Sequence, residues 1–228
     1  IALDDGRAIK LVSRIELPRF TKRRKTLARA HDVEFSVDGK FAFVPDIFNN
    51  RIYVFAVETT GALKQKGFVT SESFQGPRHL ILDADGDTLY LLNQTGSAVV
   101  VFHHDGNGGL KELQAISTLP PDYSGRQNHS AEVLLHPGGR YVYASNRNHD
   151  SLVAFRVAKG GRLTKVQTIS SGGLSPWSFV ISQDGRYLIS SNRKSNNLLV
   201  FSIDESTGHL TRLAGEINVP EPLSLSLR

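Results

Sequence analysis

Side chains able to move protons or hold anions recur along this chain at a long, regular interval. His31 with Asp32, Arg78 with His79, and Glu132 each open a short apolar run that leads into a tight turn. Asp46, Asn93 with Gln94, and Asn146 with Arg147 each close the run that follows such a turn. Reflecting the two runs about each turn sets His31 opposite Asp46, Arg78 opposite Asn93, Ala131 opposite Asn146 and Trp177 opposite Asn192, to within one residue. The neighbouring column reads Asp32, His79, Glu132 and Ser178 on the first runs, and Ile47, Gln94, Arg147 and Arg193 on the second. Guanidinium forks hold carboxylate or phosphate and stabilise a developing oxyanion. Imidazoles transfer protons near neutral pH. If the runs converge, the chemistry on offer is acid–base work on a small anionic substrate.

The elements that must position these residues are visible as a repeat. Asp38-Gly39, Asp85-Gly86, Gly138-Gly139 and Asp184-Gly185 mark turns, each between two runs rich in Val, Ile, Leu, Phe and Tyr. A third apolar run and a fourth, more polar one complete every unit. Short β-type runs bounded by Gly, Asp and Asn are strand and hairpin chemistry. Four such strands recurring every ~45 residues make a propeller blade. The expectation is an all-β propeller, one domain over 1–228, with blades near 31–70, 78–118, 131–171 and 177–218. A β-sandwich is the alternative, but it predicts no regular four-strand register. Residues 4–16 read as the lone fourth strand of an earlier blade and 223–228 as the lone first strand of a later one. The chain therefore reads as about four complete blades plus two partial ones, from a propeller lacking N-terminal blades. A five-bladed closure with one incomplete blade is the other arrangement. First strands line a propeller's channel, so one mouth should gather the His, Arg, Glu and Asn side chains. The connections 17–30 and 118–130 open on that mouth, the second carrying Arg126, Asn128 and His129.

Composition narrows the classes. The 228 residues are 39% apolar and 21% charged, which excludes a disordered polyelectrolyte, and no apolar run is long enough for a membrane span. Cysteine is absent, so disulfides, thiolate metal sites and cysteine nucleophiles are excluded. Methionine is absent too and the first residue is Ile1, which reads as a processed or truncated chain, placed in the cytoplasm by default. The net charge of +5 favours anionic partners. The basic run Lys22 to Lys25, flanked by Arg19 and Arg29, lacks the interleaved aromatics of a nucleic-acid surface and reads as a solvated loop. His103, His104, His136 and His149 have no zinc-like spacing, and no phosphate loop or nucleophile elbow occurs, so neither metal nor cofactor is expected. Structural uses compete for the same residues. Asp46 and the repeated Asn can cap turns, Arg147 and Arg193 can form inter-blade ion pairs, His31 can be a satisfied core histidine, and Trp177 can simply pack.

Several segments carry a family resemblance: GPRHLILDADGDTLYLLNQ (76–94), AEVLLHPGGRYVYASNR (131–147) and LSPWSFVISQDGRYLISSNRKSNNLLVFSIDESTGHL (174–210). Together with HDVEFSVDGKFAFVPDIFNNRIYVF (31–55) and the terminal VPEPLSLSLR, they resemble the seven-bladed propeller lactonases. That family includes propeller-type 6-phosphogluconolactonases and the fungal 3-carboxy-cis,cis-muconate lactonizing enzyme. The resemblance implies a catalytic group of His31, Arg78 and Arg147, with Gln94 at the position of the family's proposed acid. The candidate substrate contacts are the neighbouring His79 and Glu132, with Asp46, Asn93 and Asn146 placed at the same mouth by the hairpin register and Asn128 and His129 by the connection that opens there. Arg29 stands where the family has the upstream His of a His-x-His, and Trp177 where a later blade has Arg. The implied activity is metal-independent hydrolysis of an anionic sugar lactone such as 6-phosphogluconolactone. A muconate-type cyclase acting on a carboxylate and a non-catalytic ligand-binding propeller are the alternatives. Because an amide at position 94 cannot act as a base, the expectation is low turnover with retained anion binding, and a gain in Gln94→Glu.

Overall fold

The computed structural model describes residues 2–4, 7–18 and 28–227; the basic run at 22–25 and Arg19 lie outside them. Every regular element among the described residues is a β-strand. A hairpin of β1 (Ala2–Asp4) and β2 (Arg7–Lys10) precedes four antiparallel sheets. The first sheet runs β3 (Glu34–Phe35), β4 (Phe41–Asp46), β5 (Arg51–Val57), β6 (Leu63–Val69). The second runs β7 (Pro77–Leu82), β8 (Thr88–Asn93), β9 (Ala98–His104), β10 (Leu110–Ser117). The third runs β11 (Ser130–Leu135), β12 (Tyr141–Asn146), β13 (Ser151–Val157), β14 (Leu163–Ser170). The fourth runs β15 (Pro176–Ile181), β16 (Tyr187–Asn192), β17 (Asn197–Ile203), β18 (Leu210–Arg212), and β19 (Ile217–Asn218) also pairs with β17. In each sheet the first four strands are hydrogen-bonded in chain order, which is the meander of a propeller blade.

Two expected end strands differ. Residues 4–16 do not form one strand: part of the segment belongs to the β1–β2 hairpin, and 11–18 run on without a ladder. Ile15 and Leu17 instead pack against the sheet face carrying Ala42, Tyr53 and Phe55. Residues 223–227 form no strand either.

Strand alternation explains the packing. In the second sheet Leu89, Leu91, Val100 and Phe102 face the first sheet, where they join Phe41, Phe43, Ile52 and Val54. The intervening Tyr90, Leu92, Val99 and Val101 face the third, meeting Val142, Ala144, Val153 and Phe155. The other face of the third sheet, with Tyr143 and Leu152, meets Phe179, Leu188, Leu199 and Phe201 of the fourth. Successive side chains point to opposite faces, so a central strand buried on both sides must be apolar throughout. At the outer rim, Gln114 bonds both the N–H and the C=O of Leu163 on the next sheet (2.7 and 2.9 Å), and Gln167 repeats this on Leu210. These amides imitate a backbone pair between sheets that share no ladder. Glycines with positive φ, Gly39 (70°), Gly86 (78°), Gly139 (70°) and Gly185 (73°), close the hairpins where the turn dipeptides placed them.

Phe102 is 1% exposed in the seam between the first two sheets. Phe102→Ala is expected to destabilise the fold by about 3–5 kcal/mol through lost burial and a cavity, measured by chemical denaturation. A loss below about 1 kcal/mol would show that the seam does not hold the sheets together.

Candidate functional site

The hairpin register is what aims the site residues. Near each turn the reflection holds: Phe35 pairs Ala42, Leu82 pairs Leu89, Leu135 pairs Val142 and Ile181 pairs Leu188. At the far end the pairing slips by one, to Pro77–Asn93, Ser130–Asn146 and Pro176–Asn192, with a bulge in each first strand. Ala30 pairs Asp46 in the same offset. A bulge leaves one residue unpaired and re-aims its side chain. Arg78 and Trp177 are the residues skipped in β7 and β15, and both turn into a shared basin.

The basin has a volume of about 270 Å³ and draws on all four sheets and their connections. Of the residues expected there, His31, Arg78, Gln94, His129 and Arg147 line it, joined by Arg29, Asn148, Ser175, Trp177 and Lys194. Among the described residues its charged lining is wholly cationic: Arg29, Arg78, Arg147 and Lys194. Arg78 is 2% exposed, and its Nε has no hydrogen-bond partner among the described residues. Burial, with Arg147 adding to it, lowers the Arg78 pKa to about 10. Burial, then Arg29 and Arg193, do the same to Arg147. Both stay charged near neutral pH. Arg147 is fixed by an Nε bond to the His129 carbonyl (3.1 Å) and by the Trp177 ring, 4.3 Å from its guanidinium carbon. Arg193 lies 5.1 Å from the centre of that ring and also meets Glu221 at 3.5 Å.

Behind His31 runs a chain of polar contacts. His31 Nδ1 lies 3.1 Å from His79 Nε2, which is also 3.1 Å from Arg78 Nη1. His79 Nδ1 lies 2.5 Å from Glu132 Oε1, and Ser178 Oγ donates to Glu132 Oε2 at 3.2 Å. His79 and Glu132, expected to touch substrate, therefore stand one layer behind the basin lining. Burial, then Arg78, His79 and Arg29, lowers the His31 pKa to about 3, so its imidazole is neutral at physiological pH.

Four other expected substrate contacts have structural uses instead. Asp46 accepts from the amides of Arg29, Phe48 and Asn49 and from the Asn49 side chain. Asn93 donates to the Ser73 carbonyl. Asn146 Oδ1 accepts from Thr118, Asn128 and Ser130, while Asn128 Oδ1 accepts from the amides of Asn148 and His149. All four are 3% exposed or less, since a short polar side chain at a strand end satisfies the backbone of the connection above it. Lys194 and Asn148 were not expected. Each lies two residues beyond a strand-ending Asn, a column of the repeat that also holds Phe48 and Thr95, whose types carry no common signal. Among the described residues no three His, Asp or Glu side chains form a metal-holding group, and no helix is long and apolar enough to cross a membrane.

Because His31 keeps its proton off in the fold, it takes up less proton than the unfolded chain below its ordinary value of 6.5. Its contribution to stability is present above that pH and falls away as the pH drops toward 3. Wild type is thus expected to lose more thermal stability between pH 7.5 and 5 than His31→Gln does. Parallel melting curves would contradict the depressed pKa.

Comparison with known proteins matches this architecture. The model of the family described as "Lactonase, 7-bladed beta-propeller" matches residues 3–227. The 6-phosphogluconolactonase of Bacillus subtilis is 28% identical over 202 residues, covering 88% of this chain and 57% of that protein. The periplasmic gluconolactonase of Pseudomonas aeruginosa superposes with a TM-score of 0.82 at 32% identity, over 87% of this chain and 56% of that one. A Lactobacillus plantarum protein gives 0.81 at 29% identity, over 86% and 57%. The chain thus spans somewhat over half the length of the relatives it matches. With four meander sheets packed face to face and a family model matched from residue 3 to 227, the chain belongs to the seven-bladed β-propeller lactonases.

Proposed function

We propose that the basin binds a phosphorylated sugar lactone, of which 6-phosphogluconolactone is the leading candidate, and opens it by hydrolysis. The observation that carries this reading is the convergence of four cations and two imidazoles, the neutral His31 and His129, on a single cavity with no carboxylate among the described residues of its lining. The names of the relatives, a 6-phosphogluconolactonase and a gluconolactonase, support the same class of substrate.

The roles follow from position. Arg78 and His31 both line the basin and both lie 3.1 Å from His79 behind it, so an oxyanion donor and a base stand side by side. With the lactone carbonyl in the basin beside them, Arg78 stabilises the charge that forms on its oxygen as water attacks. His31 Nε2 takes the proton of that water, and later gives one to the departing ring oxygen. Arg147, held against Trp177, grips the phosphate with Lys194 and Arg29. Gln94 supplies an amide where a carboxylate would offset these cations.

Full-length protein should hydrolyse the phosphorylated lactone faster than it opens spontaneously. Arg78→Ala is expected to lower kcat about 100-fold or more, as removal of an oxyanion donor does. Arg147→Ala should raise KM for the phosphorylated lactone about tenfold, with a smaller effect on the unphosphorylated one. No turnover above background, or equal KM changes for both lactones, would contradict the assignment. Gln94→Glu puts a carboxylate among the cations and should weaken phosphosugar affinity several-fold at low salt. Unchanged affinity in calorimetry would place Gln94 away from the bound anion.

A further inference from the structure

We propose that Glu132 is the positioning carboxylate of this site and acts on His31 through His79, by a half-buried relay behind the basin lining. Its role in turnover rests on the lactone-opening reading above; its geometry does not. A carboxylate only accepts, so the contact between His79 Nδ1 and Glu132 Oε1 at 2.5 Å puts the His79 proton on Nδ1, while Arg78 Nη1, 3.1 Å from Nε2 and 3.5 Å from Nδ1, lies over the imidazole ring. The lone pair of the neutral His79 ring is then on Nε2. With His79 Nε2 accepting, His31 donates from Nδ1 at 3.1 Å and keeps the lone pair of its own Nε2 for the basin. Glu132 is fixed by Ser178 Oγ, which donates to Oε2 (3.2 Å), and by the Val133 amide, which donates to Oε1 (3.3 Å). Side chains from three blades, His31, His79 and Glu132, thereby select a single tautomer at the base.

The charges explain why such a relay is useful. A proton resting on His31 would make a cation beside Arg29 and Arg78, which, with burial, already oppose it. Passing the charge inward avoids this. As His31 Nε2 takes the proton of the attacking water, the His31 Nδ1–H bond breaks and a His79 Nε2–H bond forms. The His79 Nδ1–H bond then breaks and its proton joins Glu132. The positive charge is cancelled on the carboxylate instead of being held against the guanidiniums. On collapse of the tetrahedral intermediate the transfers reverse, and the His31 Nε2 proton leaves with the ring oxygen. Atoms and charge balance without any co-reactant. The groups facing His31 are Arg29, Arg78 and His79, and those facing Glu132 are His79, Ser178 and Arg78. The amide at position 94 also fits: the negative charge of this site lies one layer deeper, outside the volume the anion occupies.

The test uses full-length protein and Glu132→Gln, which keeps size and shape. The variant is expected to lose about 100-fold in kcat, with KM for the phosphorylated lactone within about threefold of wild type. Nitrogen-15 NMR of the imidazoles should find His31 and His79 both protonated on Nδ1 in the wild type. The downfield His79 Nδ1 proton should move upfield in the variant. A kcat within threefold of wild type, His79 protonated on Nε2, or recovery of turnover in Glu132→Gln combined with Gln94→Glu would each overturn the relay. A wild type that binds phosphosugar but opens no lactone would remove the hydrolytic reading alone, and the tautomers would still decide the relay.

Discussion

Burial of each central sheet on both faces is the constraint from which the rest follows. Tyr90 and Val101 face one neighbour while Leu91 and Phe102 face the other, and neither set can be exposed without opening a seam. Sheets that must be covered on both sides stack around an axis with their first strands innermost. The ends of those strands then meet at one mouth. No sheet alone brings His31, Arg78, Glu132 and Arg147 together. The apolar seams do so, and the polar ends of the strands inherit their positions from them.

What the mouth gathers is electrostatically unfavourable by itself. Arg78 is almost fully buried beside Arg147 and Arg29, with no hydrogen-bond partner for its Nε among the described residues, and burial, then Arg78, His79 and Arg29, holds His31 neutral. Buried charge without a counter-charge costs stability unless something else compensates. Glu132 and Asp32 offset part of the cost at Arg78 from below. The remainder is a standing preference for an anion. Such local conflict between stability and charge is what a preorganised site looks like, because its compensating group arrives with the ligand.

The fold was legible because the repeat is written in covalent terms. Four turn dipeptides, strand-length apolar runs and a polar fourth run reappear in each unit, and the structure keeps all four hairpins. The site was legible by residue type but one position out in register. The bulge at the start of β7, β11 and β15 has no composition of its own: Arg78, Ala131 and Trp177 share nothing except the slip they sit beside. For that reason Asp46, Asn93 and Asn146 were expected to face the basin, although they turn into the connections and satisfy backbone there. Lys194 was invisible because its repeat column is Phe, Thr and Asn elsewhere. The layering of His79 and Glu132 behind His31 depends on which edge of an inner strand each side chain leaves, which a single sequence does not encode.

The central claim is that one cationic basin holds both ends of a ring-opened sugar acid, with Arg78 and His31 at the reacting carbonyl. A crystal structure of the full-length protein with the phosphorylated aldonate product bound tests this most directly. The account predicts the new carboxylate within hydrogen-bond distance of Arg78 and His31, and the phosphate against Arg147 and Lys194. A product bound with its phosphate on Arg78, or bound outside this basin, would contradict it.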